Sequence, residues 1–241
     1  MENNPNAGEL LSPCIIRARD IALGRDETYN RTIVPYVLDG ISAIGKPHLQ
    51  RVLDAGCGCG FLTDKLDMLS ENYQVHGIDI SQECIQYATE NYAHTTFEHC
   101  SIYEHQSSIS YDICVATMVV HLLPNYDLFL TKMSELLRTK GSLLLVLPHP
   151  NYWPAEKLSA FEYTNERAYK YDFRINGSDK YWEIDYYHRT IQTYVNRALS
   201  HNFHLCALDE LFEKKHGKTS STPHLLGLKF TLSKDVTSAI Q

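Results

Sequence analysis

This sequence contains no run of Lys or Arg, no apolar stretch near the roughly 20 residues that cross a bilayer, and no Cys or His pairs at zinc-ligand spacing. With a net charge of −7 and a pI near 5.9, no nucleic-acid partner and no polybasic membrane contact are expected. The opening stretch MENNPNAGELLSP has no apolar core, so no signal peptide is expected there, and residues 1–13 read as a mobile tail. Seven cysteines, an odd number, are scattered at 14, 57, 59, 84, 100, 114 and 206. They form no disulfide framework and read as reduced thiols of a cytoplasmic protein. Cys57 and Cys59 lack a second ligand pair, so no metal is expected.

What is present is enough for one core. The 241 residues are 44% hydrophobic, so residues 14–241 read as a single domain. Residues 14–44 carry helical periodicity, with Pro35 expected to kink or interrupt the second half. From there strands alternate with helices. RVLDAG, YQVHGIDI, TTFEHC, YDICVATMVV and SLLLVLP read as strands. FLTDKLDMLS, SQECIQYATENYA with Ser81 as N-cap, and YDLFLTKMSELLRTKG with Gly141 as its stop read as helices. Several strands are apolar on both faces. The expected fold is therefore α/β, a Rossmann-like, doubly wound, mainly parallel seven-stranded sheet covered on both sides. An N-terminal helical segment precedes it, and TIQTYVNRALSHNF, HLCALDELF and HLLGLKFTL complete it as a helix and two strands.

The segment RVLDAGCGCGFL, Arg51–Leu62, is a strand, a glycine turn and the start of a helix, the arrangement that binds nucleotide cofactors. It is one residue shorter than the G-x-G-x-x-G fingerprint of dinucleotide enzymes, and Asp54 precedes it. A carboxylate there repels a pyrophosphate and attracts a ligand bearing an ammonium and a sulfonium. Asp79, 25 residues on at the end of the second strand, suits both hydroxyls of a ribose, a role that by itself does not separate NAD from S-adenosylmethionine (SAM).

The motifs VLDAGCGCG, VHGIDIS, YDICVATMVVHLL and LLRTKGSLLLVLPHP, in this order over about Ile33–Pro150, resemble the class I SAM-dependent methyltransferases of the small-molecule type. The resemblance implies that Asp54, Gly56, Cys57 and Gly58 line the methionine end of SAM, that Asp79 holds the ribose, and that Ile80 lies beside the adenine. It places Ser101 and the Ile102 backbone where the family often has an acid for the adenine amino group. It also places Ala116 and Thr117 under the methionine, His121 near the pocket, and Tyr29 over the cofactor. No NPPY-like stretch follows the fourth strand, where VATM stands, which argues against amino-methylating DNA and protein-glutamine enzymes. The Pro-Cys pair, Pro13-Cys14, lies in the tail, so no cytosine-C5 nucleophile is indicated.

Residues 149–189 break the strand–helix rhythm and hold both tryptophans and seven of the sixteen tyrosines. They read either as a packing appendage or as a lid over a small, apolar or aromatic acceptor. His149 and His188 bracket this insertion. An imidazole suits deprotonation of a hydroxyl acceptor, so His188, with His149, is the catalytic candidate, and O-methylation is narrowly favoured over N-methylation. Two alternatives stay open: a non-methylating protein on the same fold, and an NAD-dependent oxidoreductase, which Asp54 disfavours.

Overall fold

The computed structural model describes residues 13–44, 48–158, 160–174 and 181–233; of the expected tail at 1–13, residues 1–12 lie outside them and Pro13 opens the first helix. Pro13–Ala22 forms α1. A π-helical turn, Tyr29–Ile33, leads into α2, Val34–Ile44. Pro35 stands in the first turn of α2, just beyond the widened turn, where a missing N–H is tolerated.

The central elements are β1 (Gln50–Ala55), α3 (Phe61–Asp67), β2 (Tyr73–Asp79), α4 (Gln82–Asn91), β3 (Thr96–His99), β4 (Tyr111–Thr117), α5 (Tyr126–Leu136) and β5 (Leu137–Pro148). After them come α6 (Tyr152–Lys157), β6 (Ala168–Arg174), β7 (Tyr181–Tyr187), α7 (Ile191–Ser200), β8 (Phe203–Leu211), the two-residue strands β9 (Lys214–Lys215) and β10 (Lys218–Thr219), and β11 (Leu225–Leu232). Seven strands make one sheet in the order β3-β2-β1-β4-β5-β11-β8. The first five are parallel, and β11 runs antiparallel to both of its neighbours.

Alternation along the strands divides the core in two. Val52, Ile113, Val115, Leu144 and Val146 face α2 and α3. Leu53, Cys114, Ala116, Leu143 and Leu145 face α5 and α7. Both faces are covered, which is why β4 is buried at all seven positions.

Ser81 caps α4 as expected, accepting the Cys84 N–H at 3.2 Å. Gly141 is not a helix stop. The chain leaves α5 at Leu136, and Leu137 is already extended and paired with Tyr111. Arg138 then ion-pairs with Asp112, Lys140 takes a left-handed φ of 63°, and Gly141 lies within β5, where a Cβ would come within 2.8 Å of the Arg138 carbonyl. Sheet pairing overrides the helical periodicity of LLRTK here. The 149–189 insertion contains α6 and an antiparallel hairpin of β6 and β7, with Ala168 opposite Tyr187.

Candidate functional site

At the carboxyl ends of β1, β2 and β4 lies a cavity of about 380 Å³, lined by Gly56, Cys57, Gly58, Asp79, Thr117 and Met118, with Arg17, Ala18 and Ile21 of α1 and Tyr29 forming its roof. This is the edge where open α/β sheets place ligands. The turn is shaped by left-handed backbone. Gly56 has a φ of 83°, and a Cβ there would lie 2.3 Å from the Val119 side chain. Gly58, with a φ of 54°, has nothing within 4 Å of the Cβ position, so its backbone faces open cavity. Gly60 N-caps α3 with a φ of 83°, pressed against Phe97 and Ala88.

Two acids flank the turn and differ in kind. Asp79 is engaged through both oxygens: Oδ2 accepts the Gly58 N–H and Oδ1 the Ser81 N–H, each at 2.8 Å. Asp54 is 1% exposed. Its Oδ2 accepts from the Thr63 hydroxyl at 2.8 Å, and its Oδ1 has no hydrogen-bond partner. Burial, reinforced by Asp79 and opposed by the Thr63 hydrogen bond, pushes the Asp54 pKa up to about 7. Tyr29 is partly buried nearby. Burial and the nearby Asp54 raise the tyrosine's pKa, while Arg17 and a hydrogen bond with Thr117 oppose the rise.

An orphaned buried carboxylate oxygen behind an open glycine cradle fits a small organic cation. A dinucleotide pyrophosphate would meet Asp54 as a like charge. SAM, which carries an ammonium and a sulfonium, is a cation of that kind.

A model of the methyltransferase domain matches residues 48–202, which is more than half of the chain. The chain belongs to this family. Among curated relatives, a candidate methyltransferase, 235L, of Invertebrate iridescent virus 6 is 25% identical over 183 residues, 66% of this chain and 66% of its own length. The ubiquinone biosynthesis O-methyltransferase of Rickettsia akari (strain Hartford) is 24% identical over 133 residues, 53% of this chain and 52% of its own. The match thus spans between about half and two thirds of those relatives. The crystal structure of an S-adenosylmethionine-dependent methyltransferase from Clostridium acetobutylicum ATCC 824 shares the fold with a TM-score of 0.67 at 12% identity, over 91% of this chain and 98% of that one.

In this methyltransferase domain the expected cofactor residues separate into layers. Tyr29, Gly56, Cys57, Gly58, Asp79 and Thr117 line the cavity. Asp54 and Ala116 lie behind its wall, fully or almost fully buried. Ile80 is 74% exposed on the surface and is not part of the wall. The Ser101 hydroxyl accepts the Tyr103 N–H at 3.3 Å, and Ile102 packs into the core. His121 is buried behind Val119 and Leu122, 5.6 Å from the Tyr186 ring; burial, with Arg17 and Arg189, pushes its pKa down to about 3.

The two bracketing histidines do not line the cavity. His149 Nδ1 accepts the backbone N–H groups of Asn151 and Tyr152 at the start of α6, and Nε2 donates to Glu210 at 3.2 Å. Both ring nitrogens are used. His188 sits in an aromatic box, 4.8 Å from Phe161 and stacked 6.3 Å from Tyr186. Its Nε2 donates to the Tyr163 carbonyl at 2.7 Å, and its buried Nδ1 has no partner. Burial lowers the pKa of both rings, which leaves them neutral.

Sequence reasoning missed two arginines. Arg17 reaches the cavity from a helix more than thirty residues before the glycine turn. Arg189, next to His188, donates to the carbonyls of Val120, Leu123 and Pro124 at 3.3, 2.7 and 3.1 Å. It fastens the end of the insertion to the loop that walls the cavity. The signal available in sequence was its place at the insertion boundary, in YYHRT.

Proposed function

We propose that this chain transfers the methyl group of SAM to a small-molecule acceptor, apolar or aromatic, with a hydroxyl favoured over an amine as the nucleophile. The observation that carries the reading is Asp54 Oδ1, a buried carboxylate oxygen without a partner behind the Gly58 cradle. SAM supplies an electrophilic methyl on a sulfonium, and the chain supplies position and a dry site. Asp54 holds the cationic end from behind the cavity wall, Asp79 accepts from the ribose, and Tyr29 and Arg17 close the roof.

The acceptor side is the seam between the cavity wall and the insertion, which acts as a lid. His121, Trp153, Tyr186 and His188 are contiguous there, with Trp153 and Tyr186 rings 5.1 Å apart. His188 is the base for a hydroxyl acceptor, because its Nδ1 keeps a lone pair that no protein group uses; His149 has none to spare. The Rickettsia relative, named for O-methylation, supports the same nucleophile.

Calorimetry with SAM, S-adenosylhomocysteine and NAD tests the cofactor. Release of S-adenosylhomocysteine in the presence of phenolic and other hydroxylated aromatic compounds tests the transfer. NAD binding without SAM binding, or SAM binding without turnover on any such acceptor, would overturn one part each.

A further inference from the structure

On the β2–β3 side of the sheet, outside the cavity, four side chains meet. His76 is on β2, Glu98 on the edge strand β3, His105 in the loop that follows, and Tyr111 opens β4. His76 lies three residues before Asp79, about 10 Å along the strand at roughly 3.3 Å per residue. Its Nε2 is 3.5 Å from Glu98 Oε2, and His105 Nδ1 is 3.2 Å from the same oxygen. The opposite ring nitrogens, His76 Nδ1 and His105 Nε2, lie 2.9 and 3.2 Å from the Tyr111 hydroxyl.

Proton counting makes this arrangement unusual. The Tyr111 hydroxyl has one hydrogen and can donate to only one of the two rings. The other ring must donate to it. If that ring is neutral, its second nitrogen is a bare lone pair facing the Glu98 carboxylate. Whichever way Tyr111 turns, at least one imidazole lone pair points at a carboxylate oxygen at close range. His105 is 2% exposed, and its Nδ1 makes no well-formed hydrogen bond. A positive charge among the three atoms removes the conflict, either a second proton on one ring or a metal ion.

The spacing suits one. A tetrahedral zinc ion with ligand distances of about 2.0–2.1 Å sets its ligand atoms roughly 3.4 Å apart. The two nitrogen–oxygen separations here are 3.5 and 3.2 Å, and one ligand atom from each residue falls within 4.8 Å of the others. The Tyr111 hydroxyl behind both rings is the outer partner that fixes imidazole orientation in metal sites. A cavity of about 290 Å³ adjoins the cluster and leaves room for a water as fourth ligand. Among the described residues this is the group of His, Cys, Asp and Glu side chains that can converge on an ion.

We propose that His76 Nε2, His105 Nδ1 and Glu98 bind one divalent transition-metal ion, with zinc the best match, and that Tyr111 orients the two rings. The ion ties the loop after β3 to a four-residue edge strand and leaves the SAM cavity untouched.

The experiment uses the full chain after chelator treatment and dialysis. Zinc is titrated in competition with a chromophoric chelator, and cobalt(II) serves as a spectroscopic probe. One equivalent of zinc should bind and raise the melting temperature. The cobalt spectrum should lack thiolate charge-transfer absorption. Glu98→Gln and His105→Asn should each weaken zinc at least about tenfold, and Tyr111→Phe about 10–100-fold as an outer partner. SAM affinity should not change in any of them, and circular dichroism should show that each is folded. Glu98 is half exposed, so its variant keeps the test open if a histidine variant misfolds. Absence of stoichiometric binding, binding that survives Glu98→Gln and His105→Asn, or a cobalt–thiolate band would overturn the proposal.

Discussion

The Asp79 carboxylate accepts the backbone N–H of Gly58 at 2.8 Å, so the acid that ends β2 also holds the glycine turn after β1 in place. Its second oxygen holds Ser81. A carboxylate offers about four acceptor sites, so two ribose hydroxyls can still be accommodated. Asp79→Ala removes both tasks. SAM affinity should fall by about 1.5–3 kcal/mol, the range for hydrogen bonds to a charged group, and the melting temperature of the free protein should fall with it. Calorimetry and thermal scans on the same preparation separate the two effects. An unchanged dissociation constant would restrict Asp79 to the turn.

If Asp54 faces the cationic end of SAM, SAM affinity should depend on pH. Its pKa near 7 lies above the unfolded value of about 3.9. A cationic ligand favours the ionised form, so binding releases a proton, and affinity should weaken as pH falls below about 7, by up to roughly tenfold per unit. Stability runs the other way. The folded state binds the proton more tightly, so this group's contribution is complete below about pH 3.9 and is lost as pH rises through 7. Asp54→Asn should raise the melting temperature of the free protein above pH 7 and abolish tight SAM binding. A flat affinity profile from pH 6 to 8 would remove Asp54 from the cofactor site.

Gly56 and Gly58 should respond differently to the same methyl group. Gly56→Ala meets Val119 at 2.3 Å in a left-handed conformation and should destabilise the fold by about 1–3 kcal/mol. Gly58→Ala meets no protein atom, so it should cost only the left-handed backbone strain, about 1–2 kcal/mol, while losing SAM affinity at least tenfold. Equal SAM affinity in Gly58→Ala would show that the ligand does not approach this backbone.

For His188, Phe is the informative replacement, because it keeps a ring in the aromatic box and removes the lone pair. If His188 is the base, turnover in His188→Phe should fall about 10²–10⁴-fold with SAM affinity unchanged. In the wild type, burial lowers the imidazole pKa, so the acid limb of the rate profile should lie below the ordinary value of about 6.5. A variant that loses only thermal stability would leave His188 as packing for Phe161, Tyr163 and Tyr186.

His121 should shape acid stability. Its folded pKa near 3 is below the unfolded value of about 6.5. The stabilising contribution is therefore complete above pH 6.5 and is lost as pH falls toward 3. His121→Phe should flatten the decline of melting temperature between pH 6.5 and 4. An unchanged slope would mean that other groups carry it.

Local chemistry sufficed for much of this protein. The run RVLDAG followed by closely spaced glycines can only be a strand entering a left-handed turn, Ser81 before QECIQ can hardly avoid capping a helix, and apolar strands alternating with amphipathic helices require a parallel sheet covered on both faces. The glycine turn, with Asp54, Gly56, Gly58 and Asp79 around it, was legible because these residues lie within one βαβ unit. Long-range packing decided the rest. The periodicity of LLRTK favoured helix until pairing of Leu137 with Tyr111 drew it into β5. Arg17 and Tyr29 roof the cavity because α1 folds back across the sheet edge. Arg189 finds the Val120–Pro124 carbonyls 65 to 69 residues away in sequence. His76, Glu98 and His105 have no recognisable spacing along the chain, since parallel neighbours joined by a crossover bring together residues that sequence distance keeps apart. Burial also set which carboxylate kept a free oxygen and which imidazoles stayed neutral, because desolvation depends on every element that covers a group, and no stretch of sequence contains them all.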